Sequence, residues 1–208
     1  TSNRPVTDGI DQLPFPARHL LPHNYHNTVV GINVAPKKFT TLLSSRGCPF
    51  QCRFCSCTTL SHHHWRPRTI TNILAELHNL INNGYQQVMF VDDNLTVQPQ
   101  RIIDLCTQMI REKIDLEWMC EGRVDQASRA MLQAMVAAGC RMIYFGIESA
   151  NPRILTYYRK QITPEQAAQA IQNAHDAGID VVVGSFIIGA PDETLEDIQR
   201  TLSFARRL

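Results

Sequence analysis

The chain has almost no net charge. Its 20 lysines and arginines against 19 aspartates and glutamates leave +1 over 208 residues. A basic face of the kind that marks a nucleic-acid footprint is therefore missing, and no nucleic-acid partner is expected. Long apolar runs are missing too. No stretch approaches the roughly 20 residues that a bilayer-crossing helix needs, so no transmembrane segment is expected. The opening Thr1-Ser-Asn-Arg-Pro5 lacks the charged-then-apolar order of a secretory leader. A paired cysteine framework is also absent. Seven cysteines is an odd count, three of them are clustered, and Cys106, Cys120 and Cys140 fall inside apolar patterns. That usage suits a reducing cytoplasm, with Cys106 and Cys140 read as core residues. What the chain does have is 44% apolar residues, enough for a sizeable core in one large domain or a barrel fragment.

The clustered thiols sit in Arg46-Gly-Cys-Pro-Phe-Gln-Cys-Arg-Phe-Cys55, which places Cys48, Cys52 and Cys55 four and then three residues apart. At that spacing they can converge on one metal centre. A closed structural zinc site takes four protein ligands, whereas three leave a metal position open for a substrate. Thiolate-only ligation favours an iron–sulfur cluster or zinc, and clusters are normally held by cysteine. A cluster with one open iron is the sharp reading; a zinc loop or buried free thiols is the bland one. Cys57, two residues further on, is read as lying outside the ligand set.

Residues 1–38 are irregular, since Pro5, Pro14, Pro16, Pro22 and Pro36 break any helix or central strand. Leu13, Phe15, Leu20 and Leu21 are expected to pack this lead-in onto a domain. From Phe39 a strand–helix rhythm begins. Strands are expected at 40–44, 87–91, 116–120, 142–147 and 181–188. Helices are expected after Thr69, at Pro99, after Asp125, at Thr163-Pro164-Glu165, and over 193–208. Apolar stripes such as Ile73, Leu77, Leu80 and Ile81, or Ala167, Ala170, Ile171 and Ala174, mark the inward helix faces. Asn83-Gly84, Gly139 and Gly178 mark helix ends. Strands apolar on both faces that alternate with helices imply a helix-covered parallel sheet. The fold class is α/β, a partial (β/α) TIM-type barrel with about five strand–helix units of an expected six.

Active sites of parallel barrels form at the C-terminal ends of the strands. Every expected strand here ends in polar or glycine-rich sequence: Arg46-Gly-Cys48, Asp92-Asp93-Asn94, Glu121-Gly-Arg123, Glu148-Ser149 and Gly189-Ala-Pro-Asp-Glu193. His62-His-His64 reads as exposed loop histidines, Arg66 and Arg68 as anchors of the loop after the cysteines. Tyr157-Tyr158 either lines the substrate side or packs.

The cysteine motif, with Phe54 before its last thiol, closely resembles the signature of the radical S-adenosylmethionine enzymes, and the likeness covers roughly residues 39–208. The resemblance implies that Cys48, Cys52 and Cys55 hold a [4Fe-4S] cluster whose open iron is chelated by the amine and carboxylate of S-adenosylmethionine. It implies that Phe54 touches adenine and that one of Asp92, Asp93 and Asn94 receives the methionine amine. Glu148 and Ser149 are to meet ribose or methionine, and Ile187 and Gly189 to lie against adenine, with Asp192 or Glu193 standing for the family's glutamate. Arg123 either pairs with the cofactor carboxylate or makes a structural salt bridge. Reductive cleavage to a 5′-deoxyadenosyl radical, which takes hydrogen from an unactivated carbon, is the implied chemistry. A flavodoxin or ferredoxin is the implied electron donor, and the substrate a small or lipid-like molecule. Asp11 to Pro22 resembles the linker between a cobalamin-binding domain and the core in cobalamin-dependent members, as do Phe90-Val-Asp-Asp93, Gly146-Ile-Glu-Ser149 and Ile188-Gly-Ala-Pro-Asp-Glu-Thr194. A cobalamin domain is thus expected before Thr1, at least one more strand after Leu208, and cobalamin-dependent methyl transfer as the outcome. The rivals are a radical cyclase, oxidase or methylthiotransferase without cobalamin, and a metal-binding interaction domain that catalyses nothing.

Overall fold

The computed structural model describes residues 9–21, 25, 27–29 and 31–208. Pro5, Pro22 and the opening pentapeptide lie outside these. In chain order the strands are β1 (Thr28–Val29), β2 (Ile32–Asn33), β3 (Phe39–Leu42), β4 (Ser45–Arg46), β5 (Arg66–Pro67), β6 (Gln87–Phe90), β7 (Glu117–Gly122), β8 (Cys140–Glu148) and β9 (Val181–Phe186). The helices are α1 (Cys57–Ser61), α2 (Ile70–Asn82), α3 (Pro99–Arg111), α4 (Arg129–Ala137), α5 (Pro152–Tyr157), α6 (Pro164–Ala177) and α7 (Leu195–Ala205).

Five strands form one parallel sheet in the order β3-β6-β7-β8-β9, which is also their order in the chain. A sheet that adds each new strand on the same side is on its way round a barrel, as the α/β reading expected. Leu42, Phe90, Cys120, Ile143 and Val182 stand level across it, and the first four are buried against the helices. Phe90 meets Trp118 edge to face at 5.3 Å, a pairing worth about 1 kcal/mol beyond the area it buries. The buried Trp118 indole is satisfied by the Ala138 carbonyl at 2.8 Å.

Helix starts follow local chemistry. Thr69 caps α2 by accepting from the Asn72 N–H, and Thr163 with Gln166 forms a full capping box at α6, closed by left-handed Gly178. The α4 cap is Ser128, which accepts from the Met131 N–H. Asp125, the expected cap, sits instead in a single 3-10 turn, Val124–Gln126, because its carboxylate is engaged by Arg123. The last strand ends at Phe186, short of Ile188, and α7 begins at Leu195. Between them Gly189 has φ +99°, and the Glu193 carboxylate accepts from the Gly189 and Ala190 N–H groups. That turn uses up the residues that the apolar pattern assigned to the strand and helix. The short α1 and α5 were not expected, since five or six residues carry no readable apolar stripe.

The lead-in is tied down by polar groups, not by its leucines. Leu13, Leu20 and Leu21 are 44%, 72% and 51% exposed. Arg18 bonds the Thr40 hydroxyl and the Thr41 carbonyl on the edge strand β3 and pairs with buried Glu76 on α2 at 2.7 Å. The Asp11 carboxylate accepts from the Thr69 N–H.

Candidate active site at the carboxyl ends of the strands

The antiparallel pair β4·β5 closes the base of the cysteine loop, joining Arg46 to Arg66. Gly47 has φ +83°, and a side chain there would run into the His64 carbonyl and the Ser61 side chain. Only glycine lets the two arms of the loop come this close. Arg68, as expected, anchors the following segment, donating to the Leu43 carbonyl and pairing with Glu76 at 2.5 Å. Tyr157 and Tyr158 brace the loop from α5. The Arg53 N–H donates to the Tyr158 carbonyl at 2.8 Å, the Arg53 guanidinium lies over the Tyr157 ring, and Phe54 meets Tyr158 edge to face at 5.2 Å.

Cys48, Cys52 and Cys55 line one cavity of about 90 Å³, together with Phe50, Phe54 and Arg123. Three thiols on one short loop, lining one cavity, are the donor set that a four-iron cluster takes when one iron is left open to a substrate. Burial pushes the Cys48 thiol up, opposed mainly by its backbone bond from Phe50. Cys57 also borders the cavity, but its thiol reaches the Ser61 hydroxyl at 3.6 Å inside α1. Desolvation is the main cause that pushes it up to about 11.

A second cavity of about 370 Å³ adjoins the first and shares Phe54, Asp93, Asn94, Arg123 and Lys160 with it. The three polar residues after β6 divide their work. Asp92 is turned away and buried, accepting from the Ser44 N–H and hydroxyl at 2.7 Å and from the Ser45 hydroxyl at 2.5 Å. Burial raises this carboxyl, with the Ser45 and Ser44 bonds and Arg101 opposing. It holds the end of β3 against β6 and has no face toward the cavity. Asp93 lines both cavities and accepts from the Gly47 N–H at 2.8 Å. Asn94 lines both as well; its oxygen accepts from Thr96 while its buried Nδ2 finds no partner among the described residues. A buried amide left without a partner is costly, and a ligand carbonyl or carboxylate there would satisfy it.

Glu148 lies at the mouth of β8, where the register slips between Gly146 and Glu148. Its φ is +68°, an uncommon backbone state for a residue with a side chain. The slip turns its carboxylate onto Lys160, 2.8 Å away, with both side chains under 10% exposed. Gly146 leaves room for this pair, since any side chain there would strike both charged ends. Lys160 carries no signal in the sequence: it follows a short helix that no pattern announced. Glu121 also borders the cavity, and its carboxyl is raised by burial first and then by Asp93.

Ser149 does not reach the cavity lining. Its hydroxyl meets Thr201 on α7 at 3.2 Å and accepts from the Asn151 N–H, so it binds helices instead. Ile187 packs with Ile154, Tyr158 and Ala190, and neither it nor Gly189 lines either cavity. Arg123 spends its fork on Asp125, at 2.9 and 3.2 Å.

Parallel strands in chain order, with a three-cysteine loop after the first and a polar cavity over the strand ends, define the core of a cluster-bearing barrel enzyme. The Radical SAM superfamily matches residues 42–205, and the chain belongs to that superfamily, whose cofactors are a [4Fe-4S] cluster and S-adenosylmethionine. It is 37% identical to the uncharacterized methyltransferase PH0819 of Pyrococcus horikoshii, over 99% of this chain and 43% of the relative. It is 30% identical to the anaerobic magnesium-protoporphyrin IX monomethyl ester cyclase of Rubrivivax gelatinosus, over 78% of this chain and 29% of the relative. Among solved structures it resembles the cobalamin-dependent S-adenosylmethionine radical enzyme OxsB with aqua-cobalamin bound, at a TM-score of 0.71 and 25% identity over 79% of this chain and 26% of that one. The chain spans less than half the length of these relatives. No helix among the described residues is long and apolar enough to cross a membrane.

Proposed function

We propose that this chain is the cofactor-binding core of a cobalamin-dependent radical S-adenosylmethionine methyltransferase that acts on a small or lipid-like molecule. The observation that carries the reading is the pair of joined cavities, one lined by Cys48, Cys52 and Cys55 and the other by Phe54, Asp93, Asn94 and Glu148. Cobalamin dependence is supported by the likeness to OxsB, and methyl transfer by the methyltransferase relative.

The cluster, when bound, supplies the electron that cleaves S-adenosylmethionine to methionine and a hydrogen-abstracting 5′-deoxyadenosyl radical, and cobalamin supplies the transferred methyl group. The chain's own residues hold and orient. Cys48, Cys52 and Cys55 ligate the cluster as thiolates. Asp93 accepts the cationic amine of methionine, a charge-assisted bond, and the Asn94 Nδ2 donates to its carboxylate. Phe54, 42% exposed, offers its ring to adenine. Glu148, kept in place by Lys160, accepts from ribose hydroxyls. The protein positions and desolvates, and the cofactors carry the hard chemistry. A cobalamin-binding domain preceding a lead-in over residues 1–38, a core over 39–208 with a further strand, a flavodoxin or ferredoxin donor and a cytoplasmic location complete the proposal.

The test uses the full-length polypeptide, purified without oxygen from cobalamin-replete cells and given S-adenosylmethionine and a strong one-electron reductant. We expect 5′-deoxyadenosine and methionine in equal amounts, and bound cobalamin. No cleavage defeats the whole reading. Cleavage by a protein without cobalamin favours instead a radical cyclase, oxidase or methylthiotransferase that needs none. Within the site, Asp93→Ala and Asn94→Ala are each expected to weaken S-adenosylmethionine binding about tenfold, a loss near 1.4 kcal/mol for a charge-assisted bond. Iron is retained in both. Asp92→Ala is expected to lower stability instead, since it strips the acceptor from three donors. Calorimetric titration and denaturant unfolding separate the two effects. Unchanged affinity in both Asp93 and Asn94 variants would reject the assignment.

A further inference from the structure

Arg123 stands just past the end of β7, 5% exposed, and four contacts fix it. Its Nε and Nη2 grip the two oxygens of Asp125 at 2.9 and 3.2 Å. Nη2 also donates to the Lys160 carbonyl at 2.7 Å. The guanidinium lies over the Phe50 ring, 3.8 Å from its centroid, and the backbone N–H donates to the Thr96 hydroxyl at 3.0 Å. These contacts leave Nη1, which points at the sulfur of Cys52 at 3.7 Å, hydrogen-bond range for a sulfur acceptor. A guanidinium free to clamp a ligand carboxylate would present its fork to the cavity. This one has turned its fork to Asp125 and offers a single N–H to a thiol of the loop.

We propose that Arg123 is a positioning residue that donates through Nη1 to the Cys52 thiolate and thereby raises the reduction potential of the cluster. The inference rests on the reading that Cys48, Cys52 and Cys55 hold that cluster. The couple takes up one electron from a low-potential reductant, with no proton moved and no bond made or broken. The added electron increases the negative charge shared by the sulfurs. A donor aimed at one of them therefore stabilises the reduced form more than the oxidised form, and hydrogen bonds to sulfur are an established means of setting cluster potentials. Asp125 cancels the net charge of the guanidinium while leaving the N–H in place, so the effect comes from a directed donor at short range. Stacking on Phe50, which lies between Cys48 and Cys52 in the loop, keeps that donor in register with the sulfur it serves.

The test compares the anaerobic holoenzyme with Arg123→Met and Asp125→Asn. Iron and sulfide are counted first, and the potential is then read by redox titration of the reduced cluster's electron paramagnetic resonance signal. Arg123→Met is expected to make one-electron reduction about tenfold less favourable, a shift of about 59 mV to lower potential. Asp125→Asn, which leaves the guanidinium uncompensated, is expected to shift the potential the other way. A wild-type protein without iron and sulfide overturns the cluster reading itself. A wild-type protein with its cluster, but with an unchanged potential in Arg123→Met, overturns this inference alone. If Arg123→Met fails to hold a cluster, Arg123→Lys, which keeps a cation for Asp125 but has no Nη1 to reach Cys52, decides, and an unchanged potential there overturns it equally.

Discussion

Alanine at Cys48, Cys52 or Cys55 is expected to strip the chain of its cluster, while alanine at Cys57 leaves it. Anaerobic wild-type protein should carry about four irons and four sulfides per chain, the content of one [4Fe-4S] centre. Each single replacement within the triad removes one of three thiolates, and the other thiol and carboxylate that line the cavity are engaged elsewhere. Asp93 is bonded to Gly47, and Cys57 is directed into α1, where its thiol meets Ser61. The fold should survive, because Cys48 and Cys55 are only half-buried and Cys52, though buried, also lies outside the main hydrophobic cluster. Iron and sulfide analysis with visible absorption measures the loss, and circular dichroism checks the fold. Stoichiometric zinc without labile sulfide would defeat the assignment. Loss of the cluster in Cys57→Ala would place a fourth thiolate on it and close the open iron.

Lys160→Met should destabilise the chain by about 3 kcal/mol, since it leaves a buried carboxylate without its counter-charge. The Glu148 and Lys160 side chains are 7% and 9% exposed and 2.8 Å apart, so solvent screens the pair weakly. The left-handed backbone at Glu148 adds of order 1–3 kcal/mol of strain, which persists only while the surroundings impose it. The ion pair is one of those surroundings. Glu148→Gln in the Lys160→Met background should recover much of the loss, because the stranded charge is gone. Denaturant unfolding of the four proteins in a double-mutant cycle gives the coupling. A Lys160→Met protein as stable as wild type would show that the pair is reached by water and does no structural work.

The cysteine spacing, the strand–helix alternation and the caps of α2 and α6 were legible in the sequence, because each depends on neighbours a few residues away. Thr69 and Thr163 cap through N–H groups three residues on, and a thiol triad within eight residues must share one loop. The residues of the cofactor cavity were legible only as strand ends. Asp92 and Asp93 follow the end of β6, and which of them faced the cavity depended on Ser44 and Ser45, which hold Asp92. The register slip beside Gly146 decided that Glu148 meets Lys160 and that Ser149 turns to Thr201. Asp125, two residues from Arg123, lay in plain view, yet the direction of the remaining N–H came from Lys160, Phe50 and Cys52, all distant in the chain. The lead-in leucines predicted an apolar seam where Arg18 and Asp11 make a polar one. The sequence by itself determined the family, the convergence of three thiols on one loop and the parallel character of the sheet, because these are written in local spacing and periodicity. The tertiary structure alone decided which polar groups line the cavities and which hold the sheet together, because that choice is made by charges and backbone groups brought together from far apart in the chain.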